Sequence, residues 1–275
     1  MDSATDRRHY GAHRRLLAHA FGVKLVSDIP ERLCGMGVRP WIDVKRRRRL
    51  AAVRDAGILF VHVPKNAGMS ISHALYGMQI KHASIRYYRR AAPELIAAVP
   101  SFAVVRDPVD RFLSAFAYAR RGGSRDNRIA APFRPLYAAF RSVDDALDHV
   151  EAARSPYAVD HVFRAQSWYL TDEGGSLAVD RLLRIDQLHA DVLGPVLPPG
   201  GALPRINRGD GKPVLSGAQV ARINLLYAAD HDLFAGVLRA DRVPSGWVVP
   251  ASPGDSSRRD GIVLPCESGR LVSIV

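Results

Sequence analysis

The sequence predicts an α/β protein of three layers, α/β/α, with helices on both faces of a central, mostly parallel sheet. Three observations carry this. Two apolar runs, Ile58 to Val63 and Phe102 to Val105, are unbroken rather than alternating, as strands buried on both faces are. Each run passes through a tight turn into a segment of helical periodicity. The chain between them is long enough for the helical crossover that parallel neighbours require, so they are expected side by side at the centre of the sheet.

Length and composition bound the rest. The 275 residues suffice for one large domain, and 47% hydrophobic content excludes a disordered chain. Lys and Arg number 39 against 27 Asp and Glu, a net +12 that favours anionic partners: nucleotides, acidic or sulfated sugars, nucleic acid or lipid head groups. Cys34 and Cys266 lie far apart and form no disulfide or metal framework, which fits a reducing compartment. No run of about 20 apolar residues suggests a membrane span. Met1 to Leu17 is polar and basic, without an apolar secretory core, so a cytoplasmic protein is expected.

Residues 1–50 read as a basic N-terminal helical arm packed on the domain. It contains a helix start at Ile29-Pro30-Glu31 that Asp28 could cap, and the basic run Lys45 to Arg49. That run reads either as a solvated helix face or as a contact for an anionic acceptor or membrane surface. Residues 51–240 form the main domain. Its first strand, Ile58 to Val63, holds His62, a packed structural histidine on this reading. Pro64-Lys65-Asn66-Ala67-Gly68 turns the chain into a helix from Met69 to about Tyr76 whose core face is Ile71, Ala74 and Leu75. Free N–H groups at such a turn, the helix dipole and a glycine lacking Cβ make a site for phosphate or sulfate, with Lys65 as a mobile charge at its mouth.

A polar segment, Lys81-His82-Ala83-Ser84, follows, then a linker and helix from Ile85 to Val99. The second strand runs into a helix capped by Asp107 with Pro108 at its first position, and Val109, Leu113 and Phe116 form the core stripe. Arg106 stands at the strand end and Ser114 two helical turns on. A forked guanidinium and a hydroxyl are suited to one phosphate. Beyond lie a basic glycine-containing loop from Arg120 to Arg134, an acidic amphipathic helix from Val143 to Ala153, a block from Asp160 to Leu170, and a third strand from Val179 to Ile185. The polar segment Leu203 to Lys212 precedes a helix that opens at Ser216 and runs through Ala229. Residues 241–275, rich in Pro, Ser and Gly, read as a poorly ordered C-terminal tail.

Taken together, the turn Pro-Lys-Asn-Ala-Gly-Met-Ser at 64–70 and the Arg106…Ser114 pair, in that order and each on a strand-to-helix turn, resemble the two nucleotide-binding motifs of the sulfotransferases that use 3′-phosphoadenosine 5′-phosphosulfate (PAPS). The closest likeness is to the carbohydrate branch, bacterial in type since no membrane anchor is evident. The block His161…Arg164-Ala165-Gln166 and the ending Tyr227-Ala228-Ala229-Asp230…Leu233-Phe234 resemble later family blocks.

This resemblance implies a P-loop-like sulfotransferase fold over roughly residues 57 to 237. The donor would be PAPS, the product adenosine 3′,5′-bisphosphate, and no metal would be needed. The acceptor would be a hydroxyl on a saccharide or glycolipid; peripheral membrane contact is compatible and no nucleic acid is expected. Lys65 would stabilise the departing bisphosphate, and Pro64 to Ser70 would hold the 5′-phosphosulfate, with Met69 where the family has threonine. Arg106 and Ser114 would hold the 3′-phosphate, assisted by Arg208 and Gly209. His82 would be the general base with His161 as runner-up, and His161 and Gln166 would be acceptor-site polar groups; the alternative for these two is a buried polar pair inside a helix. Two other readings remain: a P-loop-type nucleotide kinase, which would normally carry lysine after the glycines, and a non-enzymatic polyanion binder.

Overall fold

The computed structural model describes residues 13, 16–124, 127–188 and 213–240. Three parallel strands form its sheet in the order β1-β2-β3: β1 is Leu59–Val61, β2 is Ser101–Val105 and β3 is Arg181–Arg184. Phe60 pairs with Phe102, and Phe102 in turn with Arg181. All five residues of β2 are buried. Leu59, Val61, Ala103 and Val105 point to one face, where they meet Tyr88, Leu95 and Leu170. Phe60, Phe102, Val104 and Leu183 point to the other, against Ile71 and Leu75. The unbroken hydrophobic runs therefore mean what they predicted: strands covered on both sides in a mixed α/β protein.

The strand ladders are shorter than the apolar runs. Val63 N–H turns back onto the Val61 carbonyl at 3.1 Å, which takes the chain out of the sheet ahead of Pro64. The following helix, Gly68–Tyr76 (α3), buries Ile71 and Leu75 as expected and ends at left-handed Gly77. The segment after it forms two helices, Ile85–Ala91 (α4) and Pro93–Ala98 (α5), with Ser84 as a side-chain cap on α4. The helix after β2, Pro108–Arg120 (α6), starts at Asp107, whose carboxylate accepts from Asp110 N–H at 2.9 Å. Phe112, Leu113, Ala115 and Phe116 bury its inner face in a second core with the helix Val143–Glu151.

The helix expected from Ser216 through Ala229 is two helices, Gly217–Leu226 and Ala228–Ala240, broken at Tyr227. The break has a cause. Tyr227 donates its buried hydroxyl to the Phe163 carbonyl at 2.7 Å, and Asp230 caps the short helix Gln166–Leu170 (α9), accepting from the amides of Gln166 and Ser167 at 2.7 and 2.8 Å. The Tyr-x-x-Asp pair thus positions the Asp160–Leu170 block.

The arm is joined to the domain by buried polar contacts. Asp28 does not cap the helix Ile29–Gly35 (α1) with its side chain; it pairs with buried Arg164, whose guanidinium lies against the rings of Tyr157 and Trp168. Glu31 accepts from the amide and hydroxyl of Ser84 at 2.8 and 2.7 Å. Residues 241–275, and Arg208 with Gly209, lie outside the described residues.

β1 is an edge strand among these three, and its outward groups are covered by one side chain. Phe60 N–H donates to the Tyr76 hydroxyl at 2.7 Å, and that hydroxyl donates to the Ile58 carbonyl at 3.0 Å. Removing it in Tyr76→Phe leaves both groups unpaired in an apolar setting. The expected loss is about 1–3 kcal/mol, read as a lower urea midpoint with unchanged slope.

Candidate functional site

The first turn is held in a costly backbone conformation. Lys65 and Ala67 are left-handed, with φ of 71° and 59°, while Asn66 between them is not. A non-glycine residue costs on the order of 1–2 kcal/mol there. Alternation of this kind turns successive N–H groups toward one side, as in anion-binding nests. The amide of Ile71 donates to the Ala67 carbonyl at 3.2 Å; among the described residues nothing accepts from the amides of Asn66 to Ser70.

Gly68 is required by the packing behind the turn. A Cβ at this position would lie 1.8 Å from Cδ2 and 1.9 Å from Nε2 of His62. The imidazole fills the space that a Cβ would need. His62 is packed as expected, with Nδ1 2.9 Å from the Ile80 carbonyl, and burial lowers its pKa to about 4, so it is neutral near pH 7.

The two turns are tied together by amides. Asn66, fully buried, donates from Nδ2 to the Val104 carbonyl and to Gln166 Oε1, both at 2.7 Å. Gln166 Oε1 also accepts from Arg106 N–H at 3.0 Å, and Gln166 Nε2 donates to the Arg106 carbonyl at 2.8 Å. Among the described residues, the hydrogen bonds of the Gln166 side chain go to the two turns. It is inaccessible, and its amide joins both turns. The Asn66 side chain is likewise committed to the frame rather than to a ligand.

Both turns open into one cleft of about 450 Å³. Pro64, Lys65, Ala67, Gly68, Met69 and Ser70 line it from the first turn, and Arg106 and Ser114 from the second. His82 and His161 line it as well. Five Lys or Arg side chains face it (Arg49, Lys65, Lys81, Arg106 and Arg128), and no Asp or Glu does among the described lining residues. Such a surface concentrates positive potential in a concave, partly dry space.

Lys65 Nζ sits 4.2 Å from the centroid of the Tyr118 ring, one helical turn beyond Ser114 on α6. Burial, with the charges of Arg121, Arg106 and Arg111, lowers the Lys65 pKa to about 8. Met69 Sδ accepts from Asn127 Nδ2 at 3.2 Å, so the loop after α6 reaches the first turn.

Sequence reasoning missed Arg111. The residue is 1% exposed, and among the described residues its guanidinium donates to carbonyls: Pro64 at 3.2 Å, Val162 at 3.3 Å and Arg164 at 2.6 Å. It adds buried positive charge directly behind the first turn. The signal was faint, because Arg111 falls in the helix that the Val109-Leu113-Phe116 stripe defines and reads as an ordinary helix-surface arginine.

Three histidine rings lie in series, tilted against one another. His62 and His82 rings are 4.1 Å apart, and His82 and His161 4.9 Å apart, centroid to centroid. His82 Nδ1 lies 3.1 Å from the His62 carbonyl. A carbonyl can only accept, so Nδ1 carries the proton and Nε2 is free to take one. Burial and the neighbouring histidines hold the His82 pKa well below its usual value. His161 Nδ1 lies 3.2 Å from the buried carboxylate of Asp160, a partner that His82 lacks. Burial lowers the His161 pKa, and Asp160 opposes that.

Compared with models of protein families, with curated proteins and with solved structures, the chain matches none.

Two outcomes follow. Gly68→Ala must displace the His62 ring, and the anion affinity of the turn falls with it, measurable by calorimetry with adenosine 3′,5′-bisphosphate. The same titration tests Lys65. Anion binding needs the ammonium, so once the phosphates are fully ionised, above about pH 7, affinity holds to about pH 8 and falls as pH rises further, by up to about tenfold per unit; Lys65→Arg, charged throughout, removes that fall.

Proposed function

We propose that this protein is a sulfotransferase that moves a sulfuryl group from PAPS to an acceptor hydroxyl, on a carbohydrate or a glycolipid, by in-line displacement. One observation carries the reading: two strand-to-helix turns, bearing Lys65 and Arg106, share a single cleft whose described lining holds cations and histidines but no carboxylate. Strand-end turns that face each other across one cavity suit a ligand anionic at both ends.

The donor, when bound, supplies an activated sulfuryl group on an adenosine bisphosphate leaving group. The protein's task is then positioning and electrostatics. The amides of Ala67 to Ser70 hold the 5′ end, and the Lys65 ammonium neutralises charge that builds on the bridging oxygen. Arg106 and Ser114 hold the 3′-phosphate. A neutral histidine removes the acceptor proton. His82 and His161 both reach the cleft, and the Asp160 carboxylate beside His161 stabilises the imidazolium that proton transfer creates, which favours His161 as the base with His82 orienting the acceptor. Among the described lining residues none offers a carboxylate to a magnesium ion, which weighs against the nucleotide-kinase reading.

Calorimetry with adenosine 3′,5′-bisphosphate and with ATP, followed by a sulfate-transfer screen over glycans, glycolipids and phenols, tests the proposal. Lys65→Ala is expected to lower turnover about 10²–10³-fold, whereas Arg106→Ala mainly weakens donor binding. His161→Ala should cost about 10²–10⁴ in rate, more than His82→Ala. If both the Lys65 and Arg106 variants retained full activity, or ATP bound in preference to the bisphosphate, the proposal would fail.

A further inference from the structure

Between α1 and the helix Val44–Asp55 (α2), the chain exposes large apolar side chains within a few residues of each other. Met36 is 58% exposed, Val38 46%, Trp41 59% and Val44 77%. Isolated exposed apolar residues are ordinary; a cluster that includes a tryptophan is not. The basic run is continuous with it. Lys45, Arg47 and Arg48 are exposed on the side of α2 away from the core, while Leu50 and Val53 are buried on the other. The one carboxylate in the loop, Asp43, is engaged: it caps α2 through Arg46 N–H at 2.8 Å and pairs with the Arg46 guanidinium at 3.0 Å. Arg47 Nε reaches back to the Ile42 carbonyl at 3.4 Å, which holds the loop against the helix start.

We infer that Met36 to Arg48 is a docking surface for an anionic phospholipid bilayer. The chemistry is that of interfacial anchors: an amphipathic indole and aliphatic side chains enter the head-group boundary, and lysine and arginine on the same surface meet the lipid phosphates. Charge complementarity commits the surface to a negatively charged leaflet. The placement also has a use. On the inner side of the same helix, Arg46, Arg49 and Leu50 line a chamber of about 100 Å³ that reaches His82 and His161. A protein seated on the bilayer through the outer side of α2 presents that chamber close to the lipid head groups.

The proposal does not depend on sulfuryl transfer, and its test reads binding alone. The full chain is sedimented with vesicles of phosphatidylcholine alone and of phosphatidylcholine mixed with phosphatidylglycerol. Binding is expected only to the anionic vesicles and should weaken as salt rises. Lys45→Glu with Arg48→Glu should lower it about tenfold or more, and Trp41→Ser with Val44→Ser should lower it comparably while leaving bisphosphate binding and thermal unfolding unchanged. Equal pelleting with both vesicle types, or unchanged pelleting of the Trp41/Val44 variant, overturns the proposal. So does competition by soluble RNA that depends on the basic residues but not on Trp41, which would mark the run as a polyanion contact.

Discussion

The contact on which the site depends is the pair of side-chain amides that joins Asn66 to Gln166. Parallel pairing of β1 with β2 sets two turns near each other but does not fix how they face. Asn66 reaches across to the end of β2, and Gln166 grips the backbone of Arg106 on both its donor and its acceptor. The network is buried, where hydrogen bonds are stronger and a missing partner is costly, so it specifies one relative placement. Asn66 Oδ1 finds no partner among the described residues, a cost of about 1–3 kcal/mol that the rest of the network must offset. Asp230 and Tyr227 then hold the block that supplies Gln166, so residues far apart in sequence act on one junction.

Several features around that junction are unfavourable in the free protein. Two left-handed non-glycine residues lie within three positions. Arg111 is buried on carbonyls among the described residues, and burial, with the arginines around it, lowers the affinity of Lys65 for a proton. The fold tolerates these features because the sheet and two hydrophobic cores supply stability elsewhere, the general pattern for strain at sites that bind.

Much of this was legible in the chain because the relevant signals are local. The strands, the Asp107-Pro108 helix start, and the turn residues 64 to 70 depend on near neighbours, and each lies where its residues indicate. What could not be read is long-range. Gln166 looked like a free polar group because nothing in its own segment shows that Asn66 lies opposite. Gly68 announces a close approach but not by what, and the answer, His62, sits on the preceding strand. Asp28 has the right offset for a cap, yet a buried arginine more than a hundred positions away takes it. The single helix read from Ser216 to Ala229 failed at Tyr227 because a tertiary hydrogen bond outweighed helical periodicity.

The tyrosine that covers the margin of β1 has a bearing on how copies of the protein can meet. A free sheet margin is an open template, and another chain can extend it strand by strand. Here one phenol occupies the outward amide of Phe60 and the outward carbonyl of Ile58, so main-chain recruitment along that side is closed off. A second chain meeting the strand there loses two of the contacts by which a sheet grows, a local protection from fibrous growth at the strand that leads into the Pro64 to Gly68 turn.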